Sequence, residues 1–326
     1  MPRLNLSLLI MHRLNVLSFL ILSCFLSACD LTPKPEKTIS LASNLFSASL
    51  SENYALLGTT EGFGELWEIK GKPSLIHQWK HTDETSGIIA TDITPSEEFA
   101  ITAEKDSIAW WRISDGTLLA VWGLANIHNI SISPDGQFAL VGLADKAIYL
   151  ALQYGKTLYA FEHTDLVSTS DISSSGLYAI TGSDDHTAKL WDLSTGKLKY
   201  TWQHRNKLST VALSEDDKYA LTNAALSQTR LWKISNGKVR KEIGPKLITL
   251  SAAKFSKNNK YLLTGHTTQR IDLWNIKSGK LLEFWRPKKD AEWRPTAATI
   301  FSLNFTANNK KFYSIASNGF LQKWRK

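Results

Sequence analysis

An all-β fold of seven four-stranded units is predicted by three features of this 326-residue chain. Short apolar strands recur along it, turn residues separate them, and a tryptophan closes one strand in most of the units. A period of about 40 to 45 residues with a strand-end tryptophan is typical of repeats that each form one four-stranded sheet. The repeated tryptophans are Trp67, Trp111, Trp191, Trp232, Trp274 and Trp324.

A seventh unit lies between Trp111 and Trp191, where Leu150 fills the equivalent position. With Leu150 included, the successive steps are 44, 39, 41, 41, 42 and 50 residues. Short β-rich runs separated by Gly, Asn, Asp and Ser favour antiparallel meanders. In the unit of Trp191 the predicted strands are 166–173, 177–181, 187–193 and 197–203.

The unit around Trp191 resembles a WD40 repeat. In that family a loop His, a Ser or Thr of the second strand, an Asp of a tight turn and a Trp of the third strand form a hydrogen-bonded tetrad. A buried carboxylate needs hydrogen bonds, and a His ring can bridge it to a hydroxyl. The resemblance implies a seven-bladed WD40-type β-propeller over residues 38–326. The matching tetrad residues are His163, Thr181, Asp185 and Trp191.

Other units keep the tetrad only in part. The second unit offers Asp106 as its carboxylate, one residue closer to Trp111 than in the unit of Trp191. The fifth unit has no Asp six residues before Trp232. The remaining matching positions are His81 and Thr102 in the second unit, His204 and Thr222 in the fifth, and Thr264 and Trp274 in the sixth.

The two ends of the sequence predict how the ring closes. The chain stops two residues after Trp324, so the last blade is expected to have three strands and to need a fourth. A spare strand is predicted at 38–42, just before the first inner strand. Pairing the two would complete the last blade and cover its exposed edge.

The first 28 residues are predicted to be a signal peptide that is removed. Arg13 precedes an apolar run at 16–26, which is shorter than the ~20 residues needed to span a bilayer. The residues Leu26-Ser27-Ala28-Cys29 resemble the lipobox of bacterial lipoproteins. This resemblance implies cleavage before Cys29 and acylation of its thiol and its amine. Residues 29–37 would then be a Pro- and charge-rich tether.

The predicted location is the cell envelope. Asp30 follows the lipidated cysteine, and in enterobacterial sorting an Asp there favours the inner membrane. We therefore expect anchoring at the periplasmic face of the inner membrane, with the outer membrane as the alternative. An exported lipoprotein rarely meets nucleic acid, so the net charge of +8 is expected to serve solubility, anionic headgroups or acidic partners.

The connection at 286–298 is the candidate partner-binding segment. It is basic, contains two Pro, and accounts for the 50-residue step. Long connections in compact folds are often functional, and Trp and Arg are favoured interface anchors. The alternative is that its tryptophan caps the propeller. The candidate residues are Arg286, Lys288, Lys289, Trp293 and Arg294.

The sequence favours a binding protein over an enzyme. The eight His show no metal-ligand spacing, and the chain has no phosphate loop, nucleophile elbow or Cys–His pair. We expect a lipid-anchored scaffold that binds envelope proteins, without a metal, a cofactor or a small-molecule substrate.

Two alternatives remain open. One is an assembly factor similar to the propeller lipoprotein of outer-membrane barrel assembly. The other is a propeller enzyme similar to a lactonase or quinoprotein, for which the inner strands supply only Asp92, Asp171 and Lys254 as ionisable residues.

Overall fold

A computed structural model describes residues 32–81, 86–289 and 298–326 and divides the chain into two units, 1–33 and 34–326. The described residues of the second unit form seven four-stranded antiparallel sheets, the blades of a β-propeller. The predicted fold class is thereby confirmed. Among these residues, no helix is both long and apolar enough to cross a membrane.

The strands follow one another in chain order, four to a blade. After β1 (Lys37–Ser40), blade one contains β2 (Leu45–Leu50), β3 (Tyr54–Thr59), β4 (Gly64–Glu68) and β5 (Ser74–Trp79). Blade two contains β6 (Ala90–Ile93), β7 (Phe99–Ala103), β8 (Ser107–Arg112) and β9 (Leu118–Gly123). Blade three contains β10 (Asn129–Ile132), β11 (Phe138–Gly142), β12 (Lys146–Ala151) and β13 (Lys156–Glu162).

The second half of the ring repeats this order. Blade four contains β14 (Val167–Ile172), β15 (Tyr178–Ser183), β16 (Thr187–Asp192) and β17 (Lys197–Gln203). Blade five contains β18 (Leu208–Leu213), β19 (Tyr219–Ala224), β20 (Ser227–Lys233) and β21 (Val239–Ile248). Blade six contains β22 (Leu250–Phe255), β23 (Tyr261–His266), β24 (Ile271–Asn275) and β25 (Leu281–Trp285), and blade seven contains β26 (Ile300–Phe305), β27 (Lys311–Ala316) and β28 (Phe320–Arg325).

Strand β1 completes blade seven, as the sequence predicts. It pairs antiparallel with β28, from Lys37 opposite Lys323 to Ser40 opposite Phe320. The amide of Gln322 also donates to the hydroxyl of Thr38 at 3.1 Å. The strand begins one residue earlier and ends two residues earlier than predicted. Its ladder with β28 ends at Phe320, and beyond that point the amide of Leu41 donates to the carbonyl of Gly319 at 3.1 Å.

The apolar core lies between the blades. Among the described residues, seven buried clusters each combine side chains from two successive blades, including blades seven and one. Since each sheet has one neighbour on either side, every blade buries both of its faces. The ring is therefore stabilised by blade-to-blade packing, and its closure by β1 also completes the cluster between blades seven and one.

A second aromatic series lies on the fourth strands and was missed in the sequence analysis. The ring of Trp202 stacks on Trp232 of the next blade at 4.8 Å, as Trp79 stacks on Trp111 at 4.9 Å. Their indole N–H groups donate to turn carbonyls of that next blade, such as Gly237 at 2.9 Å. This series has nearly the same period as the first and comprises Trp79, Trp122, Phe161, Trp202 and Trp285.

The connections divide between two faces of the ring. We call the lower face the one that carries the turns between first and second strands and between third and fourth strands. The upper face carries the turns between second and third strands and the connections between blades. Because β1 runs antiparallel to β28, its first residue, Lys37, lies at the lower face.

Candidate interaction surface

The tetrad of blade four is assembled at the upper face. The imidazole Nδ1 of His163 lies 2.8 Å from the Asp185 carboxylate, and its Nε2 lies 2.8 Å from the Thr181 hydroxyl. The indole N–H of Trp191 donates to that same hydroxyl at 2.9 Å. Since an ionised carboxylate only accepts, Nδ1 carries the proton and Nε2 accepts from Thr181. The structure thus brings together all four residues that the sequence singled out.

In this network Asp185 is ionised and His163 is neutral, and the surroundings of the two side chains favour these states. Burial alone would raise the pKa of Asp185, but hydrogen bonds from Thr187, His163 and the Thr164 amide outweigh it and hold the pKa at about 2. Burial lowers the pKa of His163 from its ordinary value, against the opposing effect of the carboxylate. The tetrad therefore ties the blade-three-to-four connection to the turn between β15 and β16.

Blade two builds the same network with a different fourth member. Nδ1 of His81 contacts the Ser107 hydroxyl at 2.6 Å, while Nε2 contacts Thr102 at 2.7 Å. The turn after Thr102 is one residue shorter than in blade four, so Asp106 turns away and accepts from the Asn126 amide instead. Asp106 is thus outside the network, and the sequence pattern did not identify Ser107 as its replacement.

Among the residues that the structure describes, blades five, six and seven show only the hydroxyl–indole hydrogen bond of the tetrad. The indole of Trp232 donates to Thr222 at 2.8 Å. The ring of His204 stands edge-on to Trp232, and its Nε2 has no hydrogen-bond partner among the described residues. Burial lowers the pKa of His204 to about 4. The equivalent pairs are Trp274 with Thr264 at 2.9 Å and Trp324 with Ser314 at 2.8 Å.

Two carboxylates in the central channel form hydrogen bonds between neighbouring blades. The cavity there has a volume of about 240 Å³ and is lined mainly by the first strands. Asp92 accepts from the Ile132 amide of blade three at 2.9 Å, and Asp171 accepts from the Leu213 amide of blade five at 2.7 Å. Burial raises the pKa of Asp92 to about 6 and that of Asp171 to about 7.

The geometry of the channel fits a structural role for these carboxylates. Each holds the first strand of the following blade through its backbone. Lys254 also lines the channel, and its ammonium lies 3.6 Å from the carboxylate of Glu215. No group of three or more potential metal-ligating side chains occurs within 32–81, 86–289 and 298–326.

The start of the 286–298 connection is attached to the upper face. The amide of Lys288 donates to Gln322 at 2.9 Å, and its ammonium lies 5.0 Å from the ring centre of Phe320. Arg286, Lys288 and Lys289 are exposed. Trp293 and Arg294, like the lipidation and sorting residues Cys29 and Asp30, lie outside the described residues.

An exposed apolar patch on blade five was not predicted. Leu226 is 62% exposed and Leu247 is 75% exposed, and both lie in the left-handed region, at φ 49° and 65°. Leucine adopts this backbone conformation at a cost in free energy. Together they line an open cavity of about 370 Å³. We call this the blade-five patch; its other lining residues are Arg205, Asn206, Ser227, Gln228, Arg230 and Lys246.

The patch arises from an irregular outer hairpin. Ser227 pairs with Ile248, whereas Thr229 pairs with Ile243, so residues 244–247 bulge outward from the end of β21. The step from Trp232 to Trp274 is 42 residues, close to the other steps, and the repeat period therefore does not indicate the bulge. The available signal was Gly244-Pro245 inside an otherwise strand-like run, since Pro and Gly mark bulges.

Comparison with known families supports the repeat assignment. Residues 155–192 match the family model described as WD domain, G-beta repeat. The match runs from β13 through β16 and therefore includes all four tetrad residues of blade four. No curated protein matches the chain. Propellers of this type generally mediate protein–protein interactions. The fold is accordingly a seven-bladed β-propeller, and residues 155–192 within it match the WD40 repeat model.

Proposed function

We propose that the protein is a lipid-anchored interaction scaffold of the cell envelope, and that it binds a protein partner at the blade-five patch. The observation that carries this proposal is the pair of exposed leucines, Leu226 and Leu247, held within one cavity. Fully burying one leucine side chain contributes about 1.5–3 kcal/mol, so covering both would favour association.

The charges around the patch indicate the chemistry of the partner. Arg205 and Lys246 are exposed beside the leucines, and Arg230 pairs with Glu242 at 3.1 Å. A partner segment with apolar side chains flanked by Asp or Glu would complement this surface. Arg286, Lys288 and Lys289 add positive charge on the same upper face, and the 286–298 connection is proposed as a second contact.

The proposed role is non-enzymatic. It is supported by the channel, where Asp92 and Asp171 each accept a backbone amide of the neighbouring blade. The membrane anchor is supported by the lipobox resemblance at Leu26-Ser27-Ala28-Cys29. We propose the periplasmic face of the inner membrane as its location, from Asp30.

Site-specific photo-crosslinking tests the binding site. A photoreactive amino acid at Leu247 should give a discrete adduct in intact envelopes, and Arg205→Glu should weaken that adduct because it reverses the charge that meets the partner. Leu177 is 51% exposed on the lower face and serves as the matched position, where no such adduct is expected. Equal adducts from both positions, or none from Leu247, would remove the blade-five patch as the binding site.

Fractionation tests the anchor. Cys29→Ser should release the protein from membranes, whereas Cys24→Ser, inside the predicted signal peptide, should leave it attached. Membrane association that survives Cys29→Ser would show that the lipoprotein assignment is wrong. Separation of the inner and outer membranes tests the location, and recovery of the wild type with outer-membrane markers would contradict retention by Asp30.

A further inference from the structure

The lower face of blades six and seven is strongly basic. Its three turns at 256–260, 276–280 and 306–310 contain five Lys and no Asp or Glu. The last two residues of the chain add two more cations beside them. We call this set the basic sector; its exposed members are Lys257, Lys260, Lys277, Lys280, Lys310, Arg325 and Lys326.

Contacts within and between the two blades join the sector into one surface. The amide of Lys326 donates to the carbonyl of Lys310 at 3.1 Å, and the amide of Ile276 donates to the carbonyl of Lys260 at 3.0 Å. The ammonium of Lys326 lies 3.4 Å from the ring centre of Tyr261, which joins blade seven to blade six. Turns that are distant in sequence therefore present their charges side by side.

The seven cations of the sector outnumber the carboxylates that pair beside them, of which Glu36 pairs with Lys311, outside the sector, at 2.6 Å. Lys257 pairs with Glu52 of blade one at 3.1 Å, through two exposed side chains. The lower turns of blade two are different, since Glu97 and Glu98 stand in the first and Asp115 pairs with Arg112 in the second. The positive charge is thus concentrated on one side of the lower face.

The chain enters the propeller at this same side. Strand β1 begins at Lys37 on the lower face of blade seven, and the amide of Glu36 donates to the carbonyl of Lys323 at 2.8 Å. Cys29 precedes Lys37 by eight residues, which span at most about 29 Å when fully extended. An acyl group on Cys29 would hold the basic sector close to a bilayer.

We infer that the basic sector docks on an anionic phospholipid surface. This inference rests on the proposed lipid anchor. Lysines on exposed turns approach headgroups without burying an unpaired charge, and each one near an anionic surface strengthens binding several-fold. The three turns carry no large exposed apolar side chain, whereas protein interfaces usually centre on such anchors. Docking in this way turns the upper face, with the blade-five patch, away from the membrane.

Fluorescence quenching in vesicles tests the docking. The lipidated mature protein, which begins at Cys29, carries a fluorophore on Ser278→Cys in the basic sector, or on Asp145→Cys at the upper face. Vesicles contain phosphatidylcholine alone or with phosphatidylglycerol, and both contain headgroup-quencher lipids. The probe at position 278 should be quenched several-fold more strongly on anionic vesicles, and high salt should abolish the difference because it screens the charges. The probe at position 145 should not respond.

Two charge-matched variants separate docking from general electrostatics. Substituting four lysines of the basic sector by Gln should abolish the anionic-lipid effect, whereas the same change on the upper face should preserve it. Unchanged urea midpoints establish that both variants are folded. The first variant replaces Lys257, Lys260, Lys277 and Lys280, and the second replaces Lys105, Lys146, Lys207 and Lys246.

Flotation of the same samples distinguishes the two proposals. If the protein floats with vesicles but position 278 shows no preference for anionic lipid, the docking inference fails and the anchor stands. If the protein does not float, the proposed anchor fails. Position 278 could instead be covered in native envelopes and yet show no preference for anionic vesicles. That result would identify an acidic protein as the occupant of the basic sector and would also overturn the inference.

Discussion

Blades three and four fill the same positions with opposite chemistry. Blade four connects its third strand to the preceding loop through the Thr181 hydroxyl, which contacts both His163 and Trp191. Blade three has apolar residues at these sites, and all three pack in one cluster shared with blade two. The apolar residues are Leu124 in place of His163, Val141 in place of Thr181 and Leu150 in place of Trp191.

The backbones of the two blades nevertheless agree. The register shift between β12 and β13 falls at Tyr149/Leu150, and that between β16 and β17 falls at Leu190/Trp191, which is the same repeat position. Strand pairing and blade-to-blade packing thus suffice for the shape of a blade. What the tetrad adds is a hydrogen-bonded attachment of the upper-face loops, and this is the difference that the following experiments probe.

Exchanging the polar residue of blade four and the apolar residue of blade three at the Thr181/Val141 position should destabilise both blades. The larger loss of stability is expected for blade four. Thr181→Val leaves the buried His163 Nε2 and Trp191 indole without partners, so we expect a loss of about 3 kcal/mol in the free energy of unfolding. Val141→Thr places a hydroxyl among apolar side chains and should cost about 2 kcal/mol. Urea unfolding of the purified protein measures both. A Thr181→Val variant as stable as the wild type would mean that the tetrad contributes nothing to stability.

Asp185 and Asp145, which lie four residues after Thr181 and Val141, should likewise differ in their contributions to stability. Asp185 accepts hydrogen bonds from His163, Thr164 and Thr187, so Asp185→Ala should cost about 2 kcal/mol. Its counterpart in blade three, Asp145, has a 66% exposed side chain, and Asp145→Ala should change stability by less than about 0.5 kcal/mol. Thermal unfolding of the two variants in parallel checks the contrast, which equal melting temperatures would contradict.

The buried histidines should make the protein sensitive to mild acid. The pKa of His204 in the folded protein is about 4, below its ordinary 6.5, so the unfolded chain binds more protons between these values. Stability is therefore expected to fall as the pH drops below about 6.5. His204→Leu places at this position the leucine that blade three has as Leu124. The variant should recover roughly 1–2 kcal/mol in the free energy of unfolding at pH 5 relative to pH 8. An unchanged pH profile of urea midpoints would exclude His204 as a cause.

The channel aspartate of blade four should have the opposite and smallest effect. Blade three has Ser131 at this repeat position, whereas burial raises the pKa of Asp171 from 3.8 to about 7. The folded state therefore binds more protons between these values, and the contribution of Asp171 to stability is lost as the pH rises through 7. Asp171→Asn keeps an acceptor for the Leu213 amide and should stabilise the protein by about 1 kcal/mol at pH 8, with less gain at pH 5. A loss of stability at pH 8 would show that the ionised carboxylate is preferred.

The sequence predicted the elements that repeat and missed those that depend on neighbours. The seven blades, the substitution at Leu150 and the closing strand all follow from period and pattern. The replacement of Asp106 by Ser107 does not, because a one-residue deletion in a turn changes which side chain faces His81. The blade-five patch was missed because its bulge adds too little length to alter the period.

By itself, the sequence determined the number of blades, the strand order and the full tetrad of blade four, since each rests on local spacing that any propeller of this type must respect. Only the tertiary structure decided which loops share a face. It placed Leu226 beside Leu247, and it gathered the lysines of three separate turns next to the start of β1. The physical reason is that a closed ring brings residues from different blades together through the packing of whole sheets, which no period along the chain encodes.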